Sequence, residues 1–469
     1  MNRRTAIVVG SGPNGLAAAI ELAGAGLDVE VLEASALPGG GVRSAELTLP
    51  GFVHDICSGV HPFVVGSPFF SKLHLESHGL EWIWSPAECA HPLDDGSAVL
   101  LHRDFKLLDE ELGPDAAAWR RIFEPLARDW NTLASSFLTP WHLPRHPVLA
   151  VRFGLRALQP VTMLARDSFR SERARALFAG VGGHSIVPLE QPLSASIPLM
   201  LTAAAHAVGW PIARGGSQSI TNALIRVLES RGGRVIPNVR VSHIDELRGA
   251  DLVLLDITPR QLLAIADGRL PKGYVGALRK YRYGPGVFKI DWALREPIPW
   301  TAKECSRAIT VHLGGSMYEL AASERDAWYG RAPEKPFVLL AQHSLFDETR
   351  APSGQHTAWA YCHVPNGWSG SALKQIEDQV ERFAPGFRDC IVARSVHGPA
   401  DMQALNENLI GGDINGGAFT LEQFVLRPTW REYATPLKGV YLCSSSTLPG
   451  GGVHGMCGYN AARVALASL

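Results

Sequence analysis

Three glycine-rich stretches hold most of the candidate chemistry of this chain. In the first, GSGPNG, Gly10, Gly12 and Gly15 have the G-x-G-x-x-G spacing, with Ser11, Pro13 and Asn14 between them. Gly10 permits a tight turn, Gly12 removes the side chain that would hold a pyrophosphate off the backbone, and Gly15 lets a helix pack closely on a strand. Phosphates then meet exposed N–H groups at the positive end of a helix dipole. Glu33, followed by Ala34, ends the next apolar run, where a carboxylate can accept hydrogen bonds from ribose hydroxyls. This is the chemistry of a dinucleotide site, against which stands an ordinary glycine turn in a parallel sheet. The second stretch, ALPGGGVRS, can bring Gly39, Gly40 and Gly41 against the same pyrophosphate, with Arg43 as a charge partner, and tilts the site from NAD toward FAD. The third repeats the spacing at Gly450, Gly452 and Gly455, but no acid-bearing strand follows. It reads as a helix N-terminus aimed at a cofactor already bound, where it would stabilise negative charge on a reduced flavin.

Few titratable side chains accompany these stretches. PGFVHDICSGVHPF groups His54, Asp55, Ser58 and His61, and each of these serves equally well as a local partner for backbone donors. His61 and His454 flank the two motifs nearest the cofactor's far end and are the candidate catalytic residues, as base or hydrogen-bond donor, because imidazole titrates near neutrality. The bland alternative for both is a structural hydrogen bond. Cys457 has no partner cysteine, and no metal-ligand spacing or nucleophile triad stands out, so no metal is expected.

The elements that must position these groups follow from periodicity. Ala6 to Val9, Asn14 to Ala25 and Val29 to Leu32 read as strand, helix and strand. From Asp109 to Ala207 the pattern is helical, with Asp115 as an expected N-cap. GGSQSITNAL opens a helix to Ser230, followed by paired strands ending at Val241, and DLVLLDITP is a further parallel-sheet strand. Four strand-like runs, GVFKIDWAL, AITVHL, FVLLAQHS and HTAWAYCHV, make a sheet-based domain. Its aromatics, Trp292, Trp300, Trp328, Trp359, Tyr361 and Trp368, line a ligand chamber or fill a core. The fold class is therefore α/β: a Rossmann-type nucleotide domain discontinuous over 1–105, 208–285 and 431–469, a helical substrate or lid region over 106–207, and a mixed-sheet substrate domain over 286–430.

With 469 residues, 46% hydrophobic and a net charge of −1, the chain suits two or three well-buried domains and not a nucleic-acid binder. Seven scattered cysteines fit a reducing cytoplasm better than a disulfide framework. The start MNRRTAIVV mimics a signal peptide, yet the glycine turn interrupts it, and no apolar run has transmembrane length. Between Arg145 and Arg175 seven arginines mix with Val, Leu and Phe, which reads as a peripheral membrane face, a pocket rim or a solvated arginine face.

Taken together, GSGPNG with Glu33, PGGGVRS, GGSQSITNAL and CSSSTLPGGGVHGMCGYNAA resemble the phytoene-desaturase-like, or carotenoid-oxidoreductase-like, flavoproteins of the flavin amine oxidase superfamily. The resemblance implies a glutathione-reductase-type nucleotide fold and a non-covalent FAD held by Gly10 to Gly15, Glu33, Ala34, Gly40, Gly41 and Arg43. Its adenine would lie near Val241, and its flavin end near Ser445, Gly452, Val453 and His454. It also implies a hydrophobic substrate, polyene or terpenoid in character, dehydrogenated by hydride transfer to flavin N5, with oxygen or a quinone as acceptor. One departure is that the usual glycine-glycine-arginine reads Gly39-Gly40-Gly41 here, with arginine at position 43. The competing expectations are a redox-neutral double-bond isomerase and a non-catalytic FAD-bound membrane or partner protein. An amine oxidase ranks below these, because no amine-selecting carboxylate is evident.

Overall fold

Thr5–Val9, apolar and β-prone, is the middle strand of a five-stranded parallel sheet ordered 440–442, 252–255, 5–9, 28–32, 234–236. In chain order this is 3-2-1-4-5, the doubly wound arrangement, and the order reverses between Thr5–Val9 and Leu252–Leu255. The computed structural model describes residues 4–139 and 146–469. The charged start, Met1 to Arg3, and Arg145 of the arginine run lie outside the described residues. Helices Pro13–Gly24, Gln218–Ser230 and Met456–Leu466 cover the sheet. Gly458 lets the first and last of these touch, since a Cβ there would fall 1.7 Å from the Asn14 carbonyl oxygen.

A second, seven-stranded sheet runs 391–397, 286–294, 356–364, 338–341, 308–313, 87–92, 98–101. All four strand-like runs from the second half are in it. So are Ala87–Pro92 and Ala98–Leu101, which sequence order assigns to the nucleotide domain; parallel pairing of Thr310 with Cys89 draws them across. One face of this sheet is a core of Ile290, Trp292, Val311, Leu340 and Ala360. The alternate residues make the opposite face: Lys289 and Asp291, Thr310 and His312, Leu339, and Trp359, Tyr361 and His363.

Helices between Phe105 and Ala207 cover this second face, with Trp119, Phe123, Phe169 and Phe178 packed among them. Asp115 does not cap the helix Ala116–Arg128. Its carboxylate instead accepts from the amides of Arg170 and Ser171 and from the Ser171 hydroxyl, at 2.6 to 2.8 Å, and ties two parts of the helical layer together. The expected strand to Val241 stops at Ile236, after which the Val239 amide donates to the Glu33 carbonyl at 2.8 Å.

Candidate functional site

At the switch point the glycine turn meets the end of the strand Leu252–Leu255. Gly10 has φ +96°, and a Cβ on it would crowd Asp256 at 3.1–3.2 Å. A Cβ on Gly12 would lie 2.6 Å from Asp256 Oδ2, and one on Gly15 would lie 2.1 Å from the Gly10 carbonyl oxygen. The second glycine cluster closes on the first, since a Cβ on Gly40 would lie 3.0 Å from the Gly12 Cα. At each position the room for a Cβ is already taken by Asp256 or by backbone, so the two glycine clusters pack directly together and present bare backbone to the cavity, which suits a pyrophosphate.

Glu33 orders this space before any ligand arrives. Its carboxylate accepts from Ser11 N and Oγ, at 2.9 and 2.6 Å, and from Ser35 N at 2.8 Å. Arg43 is buried and spends donors on the Gly40 carbonyl (2.7 Å), Ser35 Oγ (3.2 Å) and the Leu405 carbonyl (2.5 Å), so it holds loops together more than it faces a phosphate. Burial lowers its pKa, against the pull of Glu33. A second arginine, Arg427, comes from a stretch without a motif. Its Nε and Nη2 donate to the Ser445 carbonyl at 3.0 and 2.9 Å, while Asn14 Nδ2 donates to Ser445 Oγ at 3.2 Å.

One continuous cavity of about 840 Å³ opens from this turn. Its wall includes Gly10 to Asn14, Glu33, Ala34, Gly40, Gly41, Arg43, Val241, Asp256, Arg427, Ser445, Gly452 and Val453. Beyond them it reaches His61, Phe63, His184, Trp210, Thr310, Leu339, Trp359 and Tyr361. Gly15 and His454 are not in the wall. Gly15 packs under the turn, and His454 Nδ1 accepts from the Met456 amide at 3.0 Å, fastening the start of the last helix. Burial lowers the His454 pKa to about 4. Cys457 faces the carbonyls of Gly450 and Thr447 at 3.4 and 3.6 Å, and burial pushes its thiol up to about 11.

His61 is buried in the wall. Its Nε2 lies 2.8 Å from Ser217 Oγ, whose own proton goes to the Ser58 carbonyl at 2.7 Å. The imidazole must therefore donate from Nε2, which leaves Nδ1 with a free lone pair and no partner among the described residues. Burial lowers its pKa to about 4, so the ring is neutral at physiological pH. Beside it, Asp55 is a structural hub: it accepts from Ser44 Oγ and Ser217 N, both at 2.7 Å, and from Arg350 Nη1 at 3.1 Å. Burial pushes its carboxyl up, but Arg350, His343 and the Ser217 amide outweigh that and hold it below the usual range.

The aromatic residues of the sheet domain divide between its faces. Trp359 and Tyr361, ring centroids 5.8 Å apart and nearly parallel, line the cavity. Lys289 lies behind them, 2.5 Å from Asp291 and 5.7 Å from the Trp359 ring. Trp292, Trp300 and Trp368 belong to the opposite core, with Trp292 and Trp300 satisfied by Glu377 and Gln342, and Trp328 ends the helix Met317–Trp328. No motif points to His184, Trp210, Thr310, Asp256 or Arg427. The alternation in AITVHL and HTAWAYCHV carries a signal for Thr310 and its neighbours, because every second residue is polar or aromatic on strands that are buried on both faces.

A family model described as an NAD(P)-binding Rossmann-like domain matches residues 8–69. The chain is 26% identical, over 99% of its length and 93% of the relative's, to the mouse protein named pyridine nucleotide-disulfide oxidoreductase domain-containing protein 2. It is 24% identical to the neurosporene-forming phytoene desaturase of Rhodobacter capsulatus, over 97% of this chain and 92% of that one. Among solved structures, wild-type putrescine oxidase bound to putrescine superposes with a TM-score of 0.62 at 17% identity, covering 100% of this chain and 99% of the other. In sequence the chain is thus similar over nearly its whole length to a phytoene desaturase, and its Rossmann-type α/β fold is that of the putrescine oxidase structure.

Proposed function

We propose that the protein binds FAD along the glycine turn and dehydrogenates a hydrophobic substrate held against its aromatic strand face. The observation that carries this reading is the continuity of the cavity from Gly10–Asn14 to Trp359 and Tyr361, which gives a dinucleotide and an apolar molecule one shared space. Flavin, when bound, supplies a hydride acceptor at N5. The chain's residues do the rest. The amides of Gly12 and Asn14 and the helix behind them receive the pyrophosphate, and Glu33 takes the ribose hydroxyls. Ser445, Gly452 and Val453 border the flavin end. Phe63, Trp359 and Tyr361 exclude water and set the plane in which the substrate lies. His61, through the free lone pair on Nδ1, accepts the proton that accompanies the hydride.

A membrane surface is the proposed source of the substrate. Helices Pro147–Ala157 and Val161–Ser168 leave Val148, Val151, Leu155, Leu158 and Met163 exposed. Arg152 and Arg121 are the charges that act on Arg156, and both repel it, so the patch is basic and suits anionic lipid. Among the described residues no single helix is long and apolar enough to cross a membrane.

The deciding experiment is an absorbance spectrum of the purified protein, followed anaerobically while lipophilic candidates and then NADPH are added. Flavin bands that bleach with a lipid support the dehydrogenase. Bleaching by NADPH alone favours the isomerase or a reductase, and a protein that cannot be reconstituted with FAD overturns the proposal.

A further inference from the structure

The far corner of the cavity is apolar in outline but carries hydrogen-bonding atoms with nothing to bond. Thr310 Oγ1 and Trp359 Nε1 are buried on wall side chains and have no partner among the described residues. Both residues face the same way, since Thr310 pairs with Ala341 and Ala341 with Trp359, which places them two strand spacings, about 10 Å, apart. Two residues along from Thr310 on the same face, His312 holds its Nε2 3.1 Å from Nε2 of His184. That contact uses one proton, so one ring donates and the other accepts.

The remaining nitrogen of His184, Nδ1, has no hydrogen-bond partner among the described residues, and the half-buried ring lines the cavity. It donates if His312 supplies the shared proton and accepts if His312 receives it. Trp210 closes the corner, its ring 5.9 Å from that of His184 and 6.2 Å from that of His312. Ser185, also in the wall, is already satisfied, since its hydroxyl donates to the Ser194 carbonyl at 2.8 Å.

The charge of the missing partner follows from what surrounds the corner. The carboxylates in the cavity wall are Glu33, Asp256 and Glu407, all contributed by segments around the nucleotide sheet. No carboxylate is therefore placed to receive a cation at Thr310. Burial holds His184 and His312 neutral, which removes the cation that an anionic head would need. A wholly hydrocarbon occupant would leave Thr310, Trp359 and His184 unpaired in a dry site. An uncharged oxygen would satisfy them, because a hydroxyl both donates and accepts and a carbonyl accepts from several donors.

We propose that this corner binds the neutral oxygen of an amphipathic substrate, an alcohol or ketone on an apolar body, with Thr310 and His184 as the specificity-determining contacts. The inference rests on the reading that the cavity takes FAD and a lipophilic substrate together, and it narrows that substrate to an oxygenated one.

The test uses FAD-loaded protein and matched probes: primary alcohols and methyl ketones from hexyl to hexadecyl, each against the terminal alkene of the same length. Binding is read from the flavin difference spectrum and tryptophan quenching. At the best-fitting length the oxygenated probe should bind ~10-fold or more tightly than the alkene, equivalent to about 1.4 kcal/mol. Thr310→Val and His184→Phe should each bring that ratio close to one while leaving flavin content and alkene affinity unchanged. Thr310→Val should also raise the Tm of the ligand-free protein, because it removes an unpaired buried hydroxyl. Equal affinities at every length, a ratio that survives in the double variant, or no binding by any oxygenated probe would overturn the proposal. A wild-type protein that shows no flavin absorbance after reconstitution with FAD, before any probe is added, would remove the FAD reading itself, and this one with it.

Discussion

The Gly15 amide donates to Asp256 Oδ2 at 3.0 Å, so a buried carboxyl sits directly under the turn where phosphates would arrive. Burial raises its pKa to about 7, against the Gly15 hydrogen bond that lowers it, and Glu33 adds a further upward push. The folded state therefore holds a proton more tightly than the unfolded chain, and ionising Asp256 costs stability as pH rises from about 4 to about 7. Asp256→Asn is expected to be more stable than wild type at pH 8, by on the order of 1–4 kcal/mol, with the difference vanishing near pH 4. Thermal melts across that range check it. FAD affinity should fall with rising pH in the wild type and stay flat in the variant, because a charged carboxylate repels phosphate.

His61→Phe should slow flavin reduction by about 100-fold with FAD content unchanged, the usual worth of a positioned base. Because the buried imidazole titrates at about 4, the wild-type rate should be level from pH 5.5 to 8.5 and fall only toward pH 4, where Nδ1 becomes protonated. Stopped-flow bleaching under anaerobic conditions gives both numbers, and a break near pH 6.5 would exclude His61 as the base.

Arg350 joins Asp55 and Asp347 at 3.1 and 3.0 Å and also reaches the Ala213 carbonyl, so it links the segment 54–61, the glycine pair at 215–216 and the sheet domain. Arg350→Met should cost about 3–5 kcal/mol, since it strands a buried charge, and Asp55→Asn in the same chain should recover part of the loss. Asp55 is held below the ordinary carboxyl range, so its contribution is present above pH 4 and lost as pH falls further. Urea melts of the two single variants and the double variant measure the coupling.

Liposome co-sedimentation tests the basic apolar face. Vesicles rich in anionic lipid should retain the protein and neutral vesicles should not, with binding falling as salt rises. Val151→Asp with Leu155→Asp should abolish retention and leave the melting temperature within a degree or two, because these side chains are 58% and 64% exposed. Unchanged retention would assign the patch to solvent.

Much of the candidate site is legible in the sequence alone. The turn at Gly10 to Gly15, the acid at Glu33, the second cluster at Gly40 and the closing motif at Gly452 lie in contiguous runs whose local geometry follows from glycine and helix chemistry, and the cavity wall includes nearly all of them. His454 marks the limit of local pattern. Adjacency to a motif suggests a catalytic residue, but the backbone turns the ring back to the amide of Met456.

Period, propensity and glycine placement act over a few neighbouring residues, so the strand-turn-helix-strand unit, the helices between Phe105 and Ala207 and the character of each strand in the second sheet can be read from local sequence. Which strands join which sheet, which face of each strand meets the cavity and which distant side chains share it are set by long-range pairing and packing. Thr310, His184 and Trp210 meet because Ala308–Leu313 pairs on one edge with Ala87–Pro92, a strand more than two hundred residues earlier, and helices from between Phe105 and Ala207 pack across them. Burial at that junction, absent from any local pattern, leaves Thr310 Oγ1 and His184 Nδ1 without a partner among the described residues.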